Sequence, residues 1–175
     1  MIAYRDATLA DGPALEAMAR AIWIETFGPH ATEEEQADYL DEHFGPDGLL
    51  LRELPHPDHR FRLACADGRI AGYASLATSR EEDTEPNSLQ LTRFFVASEW
   101  QGKGVAQALM AWAIDAARAR GATALLLTVW EGNDRALRFY RRQGFAPAPD
   151  YGFALADLVG SDVILRLALP MEAAA

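Results

Sequence analysis

Apolar positions recur along this chain with two periods, and the changes from one period to the other mark out its elements. Residues 1–6 read as a short strand. From the start signal at Thr8 to Asp11, Leu15, Met18, Ala19 and Ile22 fall on one helix face until Gly28-Pro29 ends the run. Thr32 with Glu35 three residues later forms a capping box that opens a second helix. Tyr39, Leu40, His43 and Phe44 are its apolar side, and Gly45-Pro46 ends it. A short helical piece at 47–54 leads into the loop Pro55-His56-Pro57-Asp58-His59.

Strand-like runs at 60–66 and 69–78 flank Asp67-Gly68, a strong two-residue hairpin signal. An acidic loop at 79–88 separates this hairpin from a strand at 89–97, which contains the β-branched and aromatic run Leu91-Thr92-Arg93-Phe94-Phe95-Val96. The next helix carries Ala106, Leu109, Met110, Ala113 and Ala117 on one face and stops at Gly121. A strand at 122–129, a helix at 133–143 and closing strands near 150–155 and 161–169 complete the order β-α-α-β-β-β-α-β-α-β-β. This order predicts an α/β chain. No repeat, low-complexity tract or long linker divides it, so residues 1–175 are expected to form one domain.

Composition narrows the class. At 175 residues and 19.2 kDa, with 50% apolar residues, the chain can bury a substantial core. No apolar stretch approaches the ~20 residues of a membrane span, and Met1-Ile2-Ala3-Tyr4-Arg5-Asp6 lacks a signal-peptide core, so the expected setting is cytoplasmic, away from membranes. The net charge of −10 argues against a nucleic-acid partner. From Ala21 to Leu51 there is no Lys or Arg, only Glu25, Glu33, Glu34, Glu35, Asp38, Asp41, Glu42 and Asp47. Glu81, Glu82, Asp83 and Glu85 make a second acidic patch, while Arg135, Arg138, Arg141 and Arg142 gather near the C-terminal end. One end could favour a cation and the other an anion; ordinary solvated helix faces are the plain alternative. The single Cys65 excludes an internal disulfide and reads as a small buried residue of a strand. His56 and His59 have no third ligand nearby and Pro57 between them, so no metal site is expected.

The chemistry concentrates after Val96, at Gln101-Gly102-Lys103-Gly104-Val105-Ala106. A strand, a turn with two glycines and a helix N-terminus together make an anion site, because several N–H groups lack partners and the glycines carry no Cβ to hold a ligand away. A P-loop is excluded, since Lys103 lies between the glycines and Val105 follows the second. The dinucleotide fingerprint is excluded by Gln107 where a third glycine is needed. A phosphate or pyrophosphate ligand is expected, against the alternative of a βα turn that binds nothing.

The pattern Gln101-x-x-Gly104-x-Ala106, after a strand ending in Val96, resembles the acyl-CoA pyrophosphate loop of the GCN5-related N-acetyltransferases (GNAT). Asn133, Ala136, Tyr140, Gly144 and Phe145 are similar, in register, to a second motif of that family. Trp23-Ile24-Glu25-Thr26-Phe27, Ala37-Asp38-Tyr39-Leu40 and Thr128-Val129-Trp130-Glu131-Gly132-Asn133 look like blocks of its Pai-type polyamine acetyltransferases. The likeness runs over residues 4–169 but is specific only at these blocks.

The resemblance implies a mixed, mostly antiparallel twisted sheet of about seven strands with helices on both faces. It implies acetyl-CoA held along Phe94, Phe95 and Val96, by Gln101, Gly102, Lys103, Gly104, Val105 and Ala106, and by Asn133, Ala136 and Tyr140. Tyr140 stands at the family's general-acid position, and Asn133 at the position that contacts the pantetheine arm, where it can also cap a helix. A backbone N–H at Phe94–Val96 could stabilise the developing oxyanion. The implied acceptor is a polyamine or small cationic amine that attacks directly in a ternary complex, and a homodimer is compatible with the resemblance.

One position departs from that pattern. Polyamine enzymes of this type carry Glu where this chain has Thr92, with Gln90 before it. Thr is no base at neutral pH, and an alkyl ammonium with a pKa near ~10 needs one. Glu25 and Glu131 are the candidate bases, with water-relayed deprotonation as a third route; Glu25 and Thr92 are the candidate acceptor contacts. The alternatives are an amino acid, antibiotic or protein amine as acceptor, or a non-catalytic acyl-CoA-binding regulatory domain.

Overall fold

The computed structural model of the chain describes residues 1–78, 86–148 and 162–170. The acidic patch Glu81–Glu85 and the strand expected at 150–155 lie outside the described residues. Those residues hold β1 (Ile2–Asp6), α1 (Gly12–Phe27), α2 (Glu33–His43), α3 (Leu49–Glu53), β2 (Arg60–Ala66), β3 (Arg69–Thr78), β4 (Ser88–Val96), α4 (Val105–Ala119), β5 (Ala124–Trp130), α5 (Asp134–Arg142), β6 (Ala146–Pro147) and β7 (Asp162–Ala168). One mixed sheet joins the strands in the order β1-β2-β3-β4-β5-β7-β6, with only the β4–β5 pair parallel. The expected α/β class, with helices on both faces of a seven-stranded sheet, is what the chain adopts. The two-residue β6 is an element the sequence pattern did not announce; it is too short to show a period.

Local signals act as read. Asp67 and Gly68 both have positive φ, 50° and 76°, the pair of left-handed residues that a type I′ hairpin turn requires. The Thr32 side chain accepts the Glu35 N–H at 3.3 Å while Glu35 accepts the Thr32 N–H at 2.7 Å, closing the capping box of α2. On α4 the buried row begins at Val105, with Ala106 only half-buried, a one-position correction to the expected face. Cys65 lies in β2 but is half-buried, more open than expected.

The helices divide between two layers. Against α4 and α5 the sheet presents Leu89, Leu91, Leu125, Leu127, Val129 and Leu165, with Phe94 packed at the margin. Against α1, α2 and α3 it presents Phe61, Leu63 and Tyr73, with Phe95 at the margin. The alternation of Phe94 and Phe95 follows from the two-residue period of a strand.

The functional geometry begins where the parallel pair comes apart. β4 and β5 pair only at Ser88, Leu89 and Gln90, although β4 continues to Val96 and β5 to Trp130. β5 keeps its partner β7 along its whole length, and β4 keeps β3 through a bulge that leaves Thr92 as the extra residue. A wedge therefore opens between the C-terminal halves of β4 and β5. Phe94, Phe95 and Val96, at the end of β4 beside it, are half-buried.

Candidate functional site

Main-chain groups line one side of the wedge. Ala97 N–H donates to Ala71 O at 3.0 Å, which makes Ala97 a hydrogen-bonded partner of β3. Bonding alternates along an antiparallel pair, so the amides of Phe94 and Val96 point the other way, toward the gap that β5 has left. The wedge leads to the glycine turn. Gly102 and Gly104 have φ of 75° and 83°, and a Cβ built on either would meet nothing within 4 Å, so the turn faces open space. Among the described residues, the N–H groups from Gly102 to Gln107 have no acceptor; the first bond of α4 is Ala108 N–H to Gly104 O at 3.1 Å. A row of free N–H groups at the positive end of a fifteen-residue helix is a fitting cradle for a pyrophosphate.

Side chains hold that turn in place. Gln101 Nε2 donates to Val96 O at 3.1 Å, and Arg135 Nη1, from α5, donates to Gln101 Oε1. Lys103 does not reach over the turn: its Nζ sits 4.7 Å from the centre of the Trp100 ring. Asn133 is the N-cap of α5, its Oδ1 accepting Ala136 N–H at 3.1 Å, and its amide nitrogen makes no bond among the described residues. The capping role is thus present, with donors left over.

Tyr140, on the inner side of α5, is only 7% exposed. Its ring lies against Phe94 (6.0 Å between centroids), Phe139 (5.6 Å) and Phe145 (5.8 Å). Burial among these rings pushes its phenol pKa well up, so Tyr140 stays protonated at neutral pH. Phe94 and Tyr140 are thus in contact, the glycine turn is tied to the end of β4, and Asn133 stands just beyond the end of β5. Thr92 sits in the bulge at the wedge's upper end, half-buried, its hydroxyl donating to Ser75 O at 3.3 Å.

The two candidate carboxylates are both exposed. Glu25 is exposed on α1, beside a cavity of about 210 Å³ bordered by Ile22, Arg69, Ala97 and Trp100. Glu131 is exposed in the turn after β5 and makes no ion pair among the described residues.

The opposite layer contains what the sequence pattern hid. Arg93, 9% exposed in β4, donates through Nε (3.0 Å) and Nη2 (2.8 Å) to Glu53 Oε2 of α3. His59 Nδ1 is 4.0 Å from the same carboxylate oxygen. Rings from α1, α2, β5 and the turn at His30 meet nearby: His43 on Tyr39, Tyr39 on Trp23, Trp23 by Phe27, and Phe27 and His30 against Trp130 of β5. The Trp130 indole lies over Gly132, where a Cβ would come within 2.3 Å of the ring. An arginine inside an apolar strand was the visible signal for the Arg93–Glu53 pair; its partner, 40 residues away, left none. Among the described residues no cluster of three His, Cys, Asp or Glu side chains could hold a metal, and no helix is long and apolar enough to cross a membrane.

Comparison with known proteins agrees with this geometry. Residues 15–145 match the acetyltransferase (GNAT) family. An N-acetyltransferase encoded in the pepI 3′ region of Lactobacillus delbrueckii subsp. lactis is 30% identical over 161 residues, 91% of this chain and 92% of that protein. The PaiA N-acetyltransferase of Thermoplasma acidophilum, solved with coenzyme A, shares the fold at a TM-score of 0.77 and 23% identity, over 97% of this chain and 99% of that one. The yncA protein of Salmonella typhimurium, solved with its cofactor acetyl-CoA, does so at 0.72 and 22%, over 100% and 98%. With three quarters of its length matched and the wedge and glycine turn in place, the chain belongs to the acetyltransferase (GNAT) family of acyl-CoA-dependent N-acetyltransferases.

Proposed function

We propose that the protein transfers the acetyl group of acetyl-CoA to a primary amine of a small cationic acceptor, a polyamine first among them, by direct attack in a ternary complex. Acetyl-CoA supplies the acyl group as a thioester. The free N–H groups from Gly102 to Gln107 would hold its pyrophosphate, and Asn133 and the Phe94 and Val96 amides its pantetheine arm. One of those two β4 amides, fixed in a half-buried strand, would stabilise negative charge on the carbonyl oxygen. Tyr140, protonated and beside Phe94, would donate its phenolic proton to the departing sulfur.

The acceptor class rests on the two-sidedness of α2. Its outer side carries Glu33, Glu34, Asp38, Asp41 and Glu42, all exposed, while Gln36, Tyr39, Leu40 and His43 turn inward. The acids thus act at a distance, drawing a polycation toward α1 and α2, and aromatic side chains meet it inside. Glu35 contributes less than its position in the acidic run promised, since its carboxylate is bonded to Thr32.

The test is acceptor-dependent thiol release from acetyl-CoA across polyamines, amino acids and aminoglycosides. Spermidine is expected to be acetylated with a KM that rises between low and moderate salt, because exposed charges are screened over ~10 Å at 0.1 M. The KM for acetyl-CoA should change less, its pyrophosphate being held at close range. Efficient acetylation of a neutral or anionic amine, with spermidine inert, would remove the polyamine reading.

A further inference from the structure

The proposed reaction needs a proton acceptor. Thr92 cannot supply one, and the carboxylates of Glu25 and Glu131 are both exposed. His43 has the required chemistry. It occupies the last turn of α2, on the inward side with Gln36, Tyr39 and Leu40. Its Nδ1 is 3.1 Å from the Tyr39 carbonyl oxygen. A carbonyl only accepts, so the hydrogen must be on Nδ1, and the Glu42 carboxylate 4.0 Å from the same nitrogen favours it there too. The lone pair of the neutral ring is therefore at Nε2. The imidazole lies flat on Tyr39, 3.8 Å between centroids and 3° between planes, and Tyr39 is stacked from its other side on Trp23 at 4.5 Å. A half-turn of the ring would put Cδ2 against the carbonyl and lose the bond, so the stack and the carbonyl together select one orientation.

We propose that His43, through Nε2, is the base that takes the acceptor's proton. This rests on the acetyl-transfer reading above. His43 belongs to the α1–α3 layer and Tyr140 to the α4–α5 layer, so the two side chains lie on opposite faces of the sheet. The link between them is β4 itself: Arg93 faces His43 from that strand, and the next residue, Phe94, touches Tyr140. The charged and titratable groups facing the imidazole are Arg93 from β4, Glu53 from α3, and Glu42 and Tyr39 from its own helix. Burial, helped by the Arg93 charge, outweighs the bond to the Tyr39 carbonyl and the two carboxylates and holds His43 below its ordinary 6.5, so it is neutral and basic at pH 7.

The protons balance as follows. The acceptor ammonium gives one proton to Nε2, and the freed nitrogen forms the C–N bond at the thioester carbonyl. As the C–S bond breaks, sulfur takes the Tyr140 proton. The nitrogen releases its second proton, which restores Tyr140, and His43 returns the first to solvent. Ammonium and acetyl thioester become amide, thiol and one proton.

Two measurements test this. In the first, kcat/KM for the acceptor is followed against pH for the wild type and His43→Gln, with acetyl-CoA affinity by calorimetry and the melting temperature as controls. The wild type should lose activity toward acid through one group titrating below 6.5. His43→Gln should be slower by about 10²-fold or more and lack that acid limb, with acetyl-CoA affinity unchanged. In the second, nitrogen NMR of the labelled free protein at pH 7.5 should show His43 protonated at Nδ1 and bare at Nε2. An acid limb that persists in His43→Gln, or a proton found on Nε2, overturns the proposal. A wild type that binds acetyl-CoA but acetylates no amine overturns the acetyl-transfer reading and this one with it; loss of the limb on a working enzyme supports both.

Discussion

Beneath α4 and α5 the core is mainly aliphatic and rich in alanine, with one ring cluster about Tyr140, and main-chain amides line the wedge; beneath α1–α3 it is more aromatic and holds Arg93, Glu53 and His59. The same sheet separates the two. On the first side, side chains are absent where the cofactor is proposed to lie: Gly102 and Gly104 leave their turn open, and the half of β4 beyond Gln90 is left unpaired toward β5. On the second side, side chains are present and fixed by one another. Backbone recognition suits a ligand that does not vary, and side-chain recognition suits one that can. The hydroxyls of Tyr73 and Ser75, buried on the second side without a partner among the described residues, show that this layer carries polar groups at a cost.

The comparison breaks most directly at the Arg93–Glu53 pair. Glu53→Gln leaves a guanidinium that is 9% exposed without its counter-charge. Breaking a buried pair from one side costs ~3 kcal/mol, and for a chain of this length that lowers the melting temperature by roughly 6–12 °C. Arg93→Met with Glu53→Leu, which removes both charges, should recover much of the loss. Thermal unfolding of the three variants measures this; a Glu53→Gln protein as stable as the parent would mean that the pair is solvated and the contrast between the layers smaller than drawn.

On the other side, Gly104→Val should weaken acetyl-CoA binding by about 10²-fold while the α1–α3 core stays folded. A side chain there projects into the space before the free N–H groups, and φ of 83° is itself unfavourable for a β-branched residue. Calorimetry with coenzyme A, alongside near-ultraviolet circular dichroism, separates lost binding from lost fold. Unchanged affinity in a folded variant would sink the assignment of the turn.

These two sides were also unequally legible in the sequence. The glycine turn is legible as an anion site from its own residues, and Asn133 and Tyr140 join it through the family resemblance that their spacing carries. The wedge itself was not legible, because it arises from what β5 does after Leu126, a matter of pairing that no local pattern records. The α1–α3 side was read as an apolar helix face carrying His43 and as an acidic stretch. Both readings were right about burial, and neither could show that Tyr39, Trp23, Arg93 and Glu53 from four elements would converge on that histidine. The acids at 33–42 showed their sum but not their side: the capping box removes Glu35, and the 3.6-residue period turns most of the others outward.

Tyr140→Phe sharpens the contrast between binding and chemistry. Turnover should fall by about 10²-fold with little change in acetyl-CoA affinity, since only the departing sulfur needs the proton. The same variant reports on burial. The folded phenol has a raised pKa, so above about pH 10 the unfolded chain loses a proton that the folded chain keeps, and stability declines as pH rises. Denaturant unfolding at pH 8 and pH 10.5 should show a shallower decline in Tyr140→Phe than in the parent, with buried Tyr73 sustaining the remainder. Equal declines would place the Tyr140 phenol in water rather than among Phe94, Phe139 and Phe145.

The smallest expected effect concerns the clasp on the glycine turn. Arg135 bonds Gln101, and Gln101 bonds the Val96 carbonyl at the mouth of the wedge, so α5 and β4 are tied through one side chain. Arg135 is exposed, which limits the bond to about 0.5–1 kcal/mol. Arg135→Ala should therefore weaken coenzyme A binding only about two- to five-fold. If the clasp acts by ordering the turn, removing Gln101 as well should add little, because the second substitution breaks a chain already cut. A Gln101→Ala, Arg135→Ala double-mutant cycle on coenzyme A affinity reads this as a coupling of about 0.5 kcal/mol or more. Additive losses would mean that Arg135 meets the ligand's phosphates by its own charge, and the salt dependence of the single variant would then fall with it. In that case the first side of the sheet is not read by backbone alone, and the contrast with the second becomes one of degree.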